Sequence, residues 1–336
     1  MLAAKGILTT EGGATSHAAV VARGMGVCAI TGCDSISIDY KNATVTTREG
    51  VVIRRGDVIT LDGTSGEVML GDIPKTEASS SDDFQTLLSW ADKHRRLRVR
   101  ANAETPEDAA KARELGAEGI GLCRTEHMFF DADRIDNMRA MILAENAGER
   151  KKYLDILFQY QYEDMLALFK VMDGLPVNVR LLDPPLHEFL PAAQELMLEL
   201  TDLKLRMQRT TSLKEMDATL EKIEEKTHML ERVEALAESN PMLGTRGVRL
   251  GMLIPNLYKM QVQAIFEAAA RCAEDGVDVK PEVMIPLVSH VGELNAMVGP
   301  LKEVAERVLS EAGAKVPMMF GTMIEIPRAA LTAGEI

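Results

Sequence analysis

Nothing in the sequence pairs its cysteines. There are four, Cys28, Cys33, Cys123 and Cys272. None stands in a Cys-x-x-Cys spacing or beside histidines at metal-ligand intervals. That excludes a thiol-based metal site and a disulfide framework, and they read as reduced thiols, mostly buried, of a cytoplasmic protein. Cys123, next to Arg124, also has the place of a pocket thiol. Long apolar runs are missing too. No stretch of about 18 apolar residues occurs, so no membrane-spanning helix is expected. The start, Met1-Leu-Ala-Ala-Lys-Gly, lacks the pattern of a secretion signal. Positive charge is in deficit, with 38 basic against 51 acidic residues and a formal net charge of −13. A chain of that sign is a poor nucleic-acid binder, and an anionic substrate needs a locally basic pocket.

What is present suggests about two domains, from a length of 336 residues with 46% hydrophobic content. Up to about residue 70, short β patterns alternate with turns: Val27–Thr31, Ala43–Val45, Val51–Ile53, Val58–Leu61 and Val68–Leu70. Residues 71–81 are a polar linker. A helix follows from Asp82, capped by Ser81, with Phe84, Leu87, Leu88 and Ala91 on one face.

Residues 9–23 read Thr-Thr-Glu-Gly-Gly-Ala-Thr-Ser-His-Ala-Ala-Val-Val-Ala-Arg. Ile7 and Leu8 end a short strand before them. Gly12 and Gly13 allow a tight turn and close backbone approach. Thr15 and Ser16 are good helix caps. His17 then opens an apolar helical run, where free N–H groups and the positive end of the helix dipole favour a phosphoryl group. A neutral imidazole is nucleophilic near pH 7. His17 is therefore the candidate phosphoryl carrier.

Beyond residue 95, apolar strands alternate with helices. The strands are expected at Arg98–Ala103, Gly119–Cys123, Val177–Leu182, Gly244–Leu250, Glu282–Val288 and Met318–Ile324. Helices are expected at Glu107–Leu115, twice between Asp131 and Met172, several times between Ala192 and Glu238, and at Pro255–Glu274 and Val291–Glu311. Such alternation argues a parallel α/β sheet or barrel, with the charged stretch 192–238 as an insertion. Six strands fit an open sheet or part of an eight-stranded barrel.

Polar residues recur where these strands end, which in a barrel is where the active site forms. The motifs are Cys-Arg124-Thr-Glu126-His127, Arg180-Leu-Leu-Asp183-Pro-Pro, Asn240-Pro-Met-Leu-Gly-Thr-Arg246-Gly-Val-Arg249 and Gly321-Thr-Met-Ile-Glu325-Ile-Pro-Arg328. Arg124, Arg180 and Arg246 on one mouth would hold a small, strongly anionic substrate through planar, bidentate forks. Arg246 and Arg249 compete for that role, and the other braces the fold. Glu325 offers a hard oxygen for Mg²⁺. His127, His187 and His290 are isolated and read as structural.

The segment Gly12-Gly-Ala-Thr-Ser-His-Ala-Ala-Val-Val-Ala-Arg-Gly24 resembles the phosphohistidine domain of the PEP-utilising enzymes, the family of pyruvate phosphate dikinase, PEP synthase and the phosphotransferase enzyme I. Cys-Arg-Thr-Glu-His-Met-Phe-Phe, Arg-Leu-Leu-Asp-Pro-Pro-Leu-His-Glu-Phe-Leu-Pro, Asn-Pro-Met-Leu-Gly-x-Arg-Gly and Gly-Thr-Met-Ile-Glu-Ile-Pro-Arg are similar to dikinase wording. The resemblance implies a swivelling phosphohistidine β/α domain over 1–71, a linker and helix over 72–95, and an incomplete (β/α)₈ TIM-type barrel of about six strands over 96–336. It implies that the chain is a middle piece of a longer, homodimeric protein. ATP, AMP and phosphate would be handled by a domain upstream, and a second Mg²⁺ ligand and a cysteine acid would come after Ile336. It makes His17 the shuttle, Arg124, Arg180 and Arg246 the groups on the phosphoryl end of PEP, Glu325 a Mg²⁺ ligand and Thr15 a regulatory phosphosite. The expected reaction interconverts ATP, phosphate and pyruvate with AMP, pyrophosphate and PEP. The alternatives are another phosphotransferase of the family or a non-catalytic PEP-binding fragment.

Overall fold

The computed structural model describes residues 4–13, 16, 19, 22, 27–74, 82–144, 146–210, 212–236 and 244–336. Thr15, His17, the linker residues 75–80, the expected cap Ser81 and residues 240–243 lie outside these. The chain divides into two compact units, 1–95 and 96–336.

In the first unit, β1 (Gly6–Leu8) pairs in parallel with β2 (Cys28–Ile30), with Ile7 opposite Ala29. β3 (Ile36–Asp39), β4 (Thr44–Thr47) and β5 (Val52–Arg54) form an antiparallel meander, and β6 (Ile59–Asp62) pairs antiparallel with β7 (Glu67–Leu70). β3 is absent from the expected strands. It carries only two apolar residues, Ile36 and Ile38, and its pairing with Val45 and Thr47 supplies what its own pattern does not. The tight turns are tied by side chains. Asp39 accepts from the backbone of Lys41 and Asn42 at 2.9 and 3.1 Å, and Asp62 from that of Thr64 at 2.8 Å. The helix α1 (Asp82–His94) follows, with Leu87, Leu88 and Trp90 exposed.

The second unit is built on a five-stranded, all-parallel sheet: β8 (Ala101–Asn102), β9 (Ile120–Arg124), β10 (Pro176–Arg180), β11 (Lys280–Ile285) and β12 (Met319–Thr322), side by side in chain order. Helices make each crossover: α2 (Pro106–Glu114); α3 (Ile135–Leu143) and α4 (Ala147–Val171); α5 (Ala193–Arg209), α6 (Leu213–Leu236), α7 (Val248–Leu253) and α8 (Pro255–Glu274); and α9 (Val291–Ala312). A short α10 (Pro327–Leu331) follows β12. Thr105, Asn146 and His290 cap α2, α4 and α9 by accepting from backbone N–H groups, which gives His290 its structural role. The long pair α5 and α6 fills the expected insertion.

Val177, Val179, Val283 and Ile285 alternate toward the helices and join one core with Leu157, Met165, Leu257, Ile265 and Phe266. The opposite face carries Arg124, Arg180 and Met284, which lie in one register row. That face is concave. Arg100, just before β8, makes two hydrogen bonds to Glu282 of β11, at 2.5 and 3.0 Å. A flat sheet would put those strands about 14 Å apart with side chains standing upright, so the sheet must curl.

The fold is thus α/β with a barrel-like parallel sheet, but it has five strands among the described residues, and they do not close. The expected fourth strand, Gly244–Leu250, is not one. β10 and β11 pair directly, from Pro176–Lys280 to Arg180–Met284, and leave no place between them. Gly247 sits at φ +55°, which no strand residue adopts, and the chain then coils into α7.

Candidate functional site

Several residues near His17 in the sequence are described. Thr9 N–H donates to the Ile30 carbonyl at 3.0 Å, and Cys33 N–H to the Thr9 carbonyl at 2.8 Å. Gly12 has φ +98°, and a Cβ on it would lie 2.9 Å from the Ser16 Cβ. Glycine is needed there on both counts. Ser16 Oγ accepts from Ala19 N–H at 3.3 Å, as a cap does, and Ala19 and Ala22 are helical and buried.

In the second unit, three arginines stand at or beyond the C-terminal ends of β9 and β10. Arg124 ends β9 and donates to Glu104 at 2.7 Å. Arg180 ends β10, is 8% exposed, and reaches Glu126 with one guanidinium nitrogen and Asp183 with the other, the latter at 3.0 Å. Arg246 donates to the same Asp183 Oδ2 at 2.7 Å. The structure thus joins Arg180 and Arg246 through one carboxylate and sets Arg124 beside Arg180 in the sheet register. Arg249 donates to the Gly244 carbonyl at 3.1 Å, which braces the turn that carries Arg246.

Backbone contacts fix that turn. Gly247 N–H donates to the Asp183 carbonyl at 2.9 Å and Val248 N–H to the Pro286 carbonyl at 3.0 Å, so the turn bridges the loops after β10 and β11. A Cβ at Gly247 would come within 2.7 Å of the Leu287 Cβ and 3.1 Å of Asp183 Oδ1. Leu287 N–H in turn donates to Glu325 Oε1 at 2.7 Å, which places Glu325 on the same side of the sheet ends. Burial opposes the charge of Arg246, but hydrogen bonding to Asp183 and the fields of Asp183, Glu188 and Glu325 outweigh it, and its pKa is raised. Each of the three arginines is paired to an internal carboxylate.

Cys123 is not a pocket thiol. It is fully buried on the helix side of β9, opposite to Arg124. Burial, with Glu104, Glu126 and Asp164 adding, pushes its pKa well above the ordinary thiol value, and Arg124 only partly opposes. Among the described residues, no group of three or more histidine, cysteine or acidic side chains is arranged to hold a metal. No described helix is long and apolar enough to cross a membrane.

Sequence reasoning gave no role to Glu104 or to the bridging Asp183, and it passed over Gln261 and Tyr258. Asp183 stood in a quoted motif, three residues after Arg180. Gln261 had a signal as well, as a lone amide in the apolar stripe of α8. The loop after β9 is itself held down. Arg134 donates to the Met128 carbonyl at 3.0 Å, pairs with Asp164 of α4 and lies 5.0 Å from the centre of the Tyr160 ring. Phe130 stacks on Phe189, from the loop after β10, at 4.7 Å.

Comparison with known proteins finds matches over both units. Residues 78–336 match the family described as PEP-utilising enzyme, PEP-binding domain, and residues 1–66 the PEP-utilising enzyme, mobile domain. The chain is 51% identical over 336 residues to pyruvate, phosphate dikinase 1, chloroplastic, of Arabidopsis thaliana, which aligns all of this chain with 33% of that protein. It is 50% identical over 337 residues to pyruvate, phosphate dikinase of Rhizobium meliloti, covering all of this chain and 35% of the relative. It is 48% identical over 333 residues to that of Giardia intestinalis, covering 99% of this chain and 36% of the relative. The chain spans about a third of the length of these relatives. With both units matched, the chain belongs to the PEP-utilising enzymes.

Proposed function

We propose that this chain carries the phosphoryl-carrier histidine and the anion-binding part of the PEP/pyruvate site of a pyruvate phosphate dikinase. In the complete protein it would interconvert ATP, phosphate and pyruvate with AMP, pyrophosphate and PEP. The observation that carries the reading is the pair of arginines, Arg180 and Arg246, gathered on Asp183 at the strand ends with Arg124 alongside. Relatives about half identical over the whole chain bear the dikinase name.

His17 would attack the β-phosphorus of ATP through an imidazole nitrogen, the P–N bond forming as the bond to the AMP oxygen breaks. Inorganic phosphate would then take the terminal phosphoryl group as pyrophosphate, leaving a phosphohistidine. Once a base has taken a methyl proton from pyruvate, the enolate oxygen attacks that phosphorus, and the P–N bond breaks to give PEP and free imidazole. Phosphoryl transfer needs positioning and charge stabilisation more than covalent chemistry. Arg124, Arg180 and Arg246 supply both for the phosphoryl oxygens, and their internal carboxylates keep them aligned when no anion is bound.

The donor chemistry fits Mg²⁺ in part. Glu325 has one oxygen steadied by Leu287 N–H and a second of the hard type that Mg²⁺ takes, and the ion commonly uses one or two carboxylates with substrate oxygens. Glu325 would hold the ion, which when bound polarises the enolate and phosphoryl oxygens. Thr15, two residues before His17, would be a regulatory phosphosite, since a phosphate there crowds and repels one on the imidazole.

The test is turnover by the complete protein with pyruvate, ATP, phosphate and Mg²⁺. PEP formation should require the metal and be lost in Glu325→Gln. Unchanged PEP formation by that variant contradicts the assignment.

A further inference from the structure

Arg124 and Arg180 are the last register partners of β9 and β10, and beyond them the sheet ladder stops. The two chains nevertheless stay joined. Gln261, fully buried in α8, accepts from Leu182 N–H through Oε1 at 2.9 Å and donates through Nε2 to Thr125 Oγ1 at 2.9 Å. The Thr125 hydroxyl donates to the Arg180 carbonyl at 3.0 Å. One turn earlier in α8, the fully buried Tyr258 donates its hydroxyl to the Leu182 carbonyl at 2.7 Å.

A primary amide carries the same donor and acceptor as a peptide unit. Gln261 therefore works as one more rung, placed where the backbone rungs end. Its side chain is costly in this layer unless both ends are satisfied, and both are, by the residue after Arg124 and by the residue before Asp183. Leucine would fill similar space but strand the Leu182 N–H. Glutamate would keep the acceptor and lose the donor. Burial, with Asp183 and Glu126 adding and Arg180 opposing, raises the Tyr258 pKa far above the ordinary phenol value, so its proton stays in place. Leu257, Val262, Ile265 and Phe266 of α8 are also fully buried in the core.

We infer that Gln261 is a positioning residue for the anion clamp, setting the separation of Arg124 and Arg180 through Thr125 and Leu182. The inference rests on the reading of those arginines as the groups that hold the phosphoryl end of PEP.

The experiment compares Gln261→Leu, Gln261→Glu and Val262→Ala in the complete protein, the last opening a cavity in the same helix without removing a hydrogen bond. Misplacement by about 1 Å can cost about 100-fold in rate, so both Gln261 variants should lose about that much kcat/KM for PEP. Amide exchange at Leu182 should accelerate in Gln261→Leu. Val262→Ala should lose far less activity for each degree of Tm lost. Normal PEP turnover by Gln261→Leu, or activity losses that follow Tm across all three variants, overturns the inference. Arg180→Lys separates this from failure of the site itself. If Arg180→Lys is crippling and Gln261→Leu is silent, only the positioning role falls. If both are silent, the clamp reading falls and takes the inference with it.

Discussion

Removing the Asp183 carboxylate should destabilise the second unit more than any surface change can. The residue is 1% exposed, and its carboxylate pairs with Arg180 at 3.0 Å and accepts from Arg246 at 2.7 Å. Its backbone carbonyl also anchors the Gly247 turn. In Asp183→Ala, Arg180 keeps Glu126, and Arg246 loses its hydrogen bond to the buried carboxylate. Breaking a buried pair from one side costs about 3–5 kcal/mol, because a buried charge is left uncompensated. In a unit of this size each kcal/mol moves Tm by about 2–4 °C, so the melting transition should fall by about 6–20 °C. Asp183→Asn keeps the shape and an acceptor, and should lose clearly less. Differential scanning calorimetry of the wild type and both variants measures this directly. A fall of under about 2 °C for Asp183→Ala would mean that the carboxylate is not a buried partner of both arginines, and the reasoning would fail.

Three further outcomes follow from single residues. Gly247→Ala puts a Cβ 2.7 Å from that of Leu287 at a φ of +55°. It should cost about 1–3 kcal/mol, read as a lower urea midpoint, and stability equal to wild type would refute the close approach. With a native-state thiol reagent and mass spectrometry, Cys28 and Cys33, which are partly exposed, should be modified while the buried, pKa-raised Cys123 is spared; early labelling of Cys123 refutes its placement. Hydrogen bonds from the backbone of Thr64, the side chain of Ser65 and the backbone of Ser65 lower the pKa of Asp62 below its ordinary 3.8. Its support of the β6–β7 turn is therefore complete above pH 3.8 and lost as pH falls through the lower folded value. Carboxyl NMR should show a midpoint below 3.8, and one at or above it contradicts the turn geometry.

Much of the second unit was legible because its periodicities are long and well punctuated. α8 begins at Pro255, where proline suits a first turn, and ends at Glu274, just before Gly276. The arginines were legible because a charge closing an apolar strand has few structural explanations, and Arg180 is indeed buried. Gly244–Leu250 misled because a seven-residue segment with only Val248 and Leu250 as large apolar residues has no period long enough to separate a strand from a turn and helix start. What decided it was non-local: the direct pairing of β10 with β11 and two hydrogen bonds from the turn to Asp183 and Pro286. Which carboxylate meets which arginine was likewise beyond local pattern. Glu126 lies two residues from Arg124 yet pairs with Arg180, while Arg124 turns to Glu104.

The central claim, that a phosphoryl group passes through His17 to and from the PEP site, is tested most directly by labelling. The complete protein is incubated with PEP carrying radioactive phosphorus and Mg²⁺, and the label is mapped by acid lability and peptide sequencing. The account predicts acid-labile label on the peptide containing His17, absent from His17→Ala and strongly reduced in Arg180→Lys. Undiminished acid-labile label in His17→Ala would contradict it.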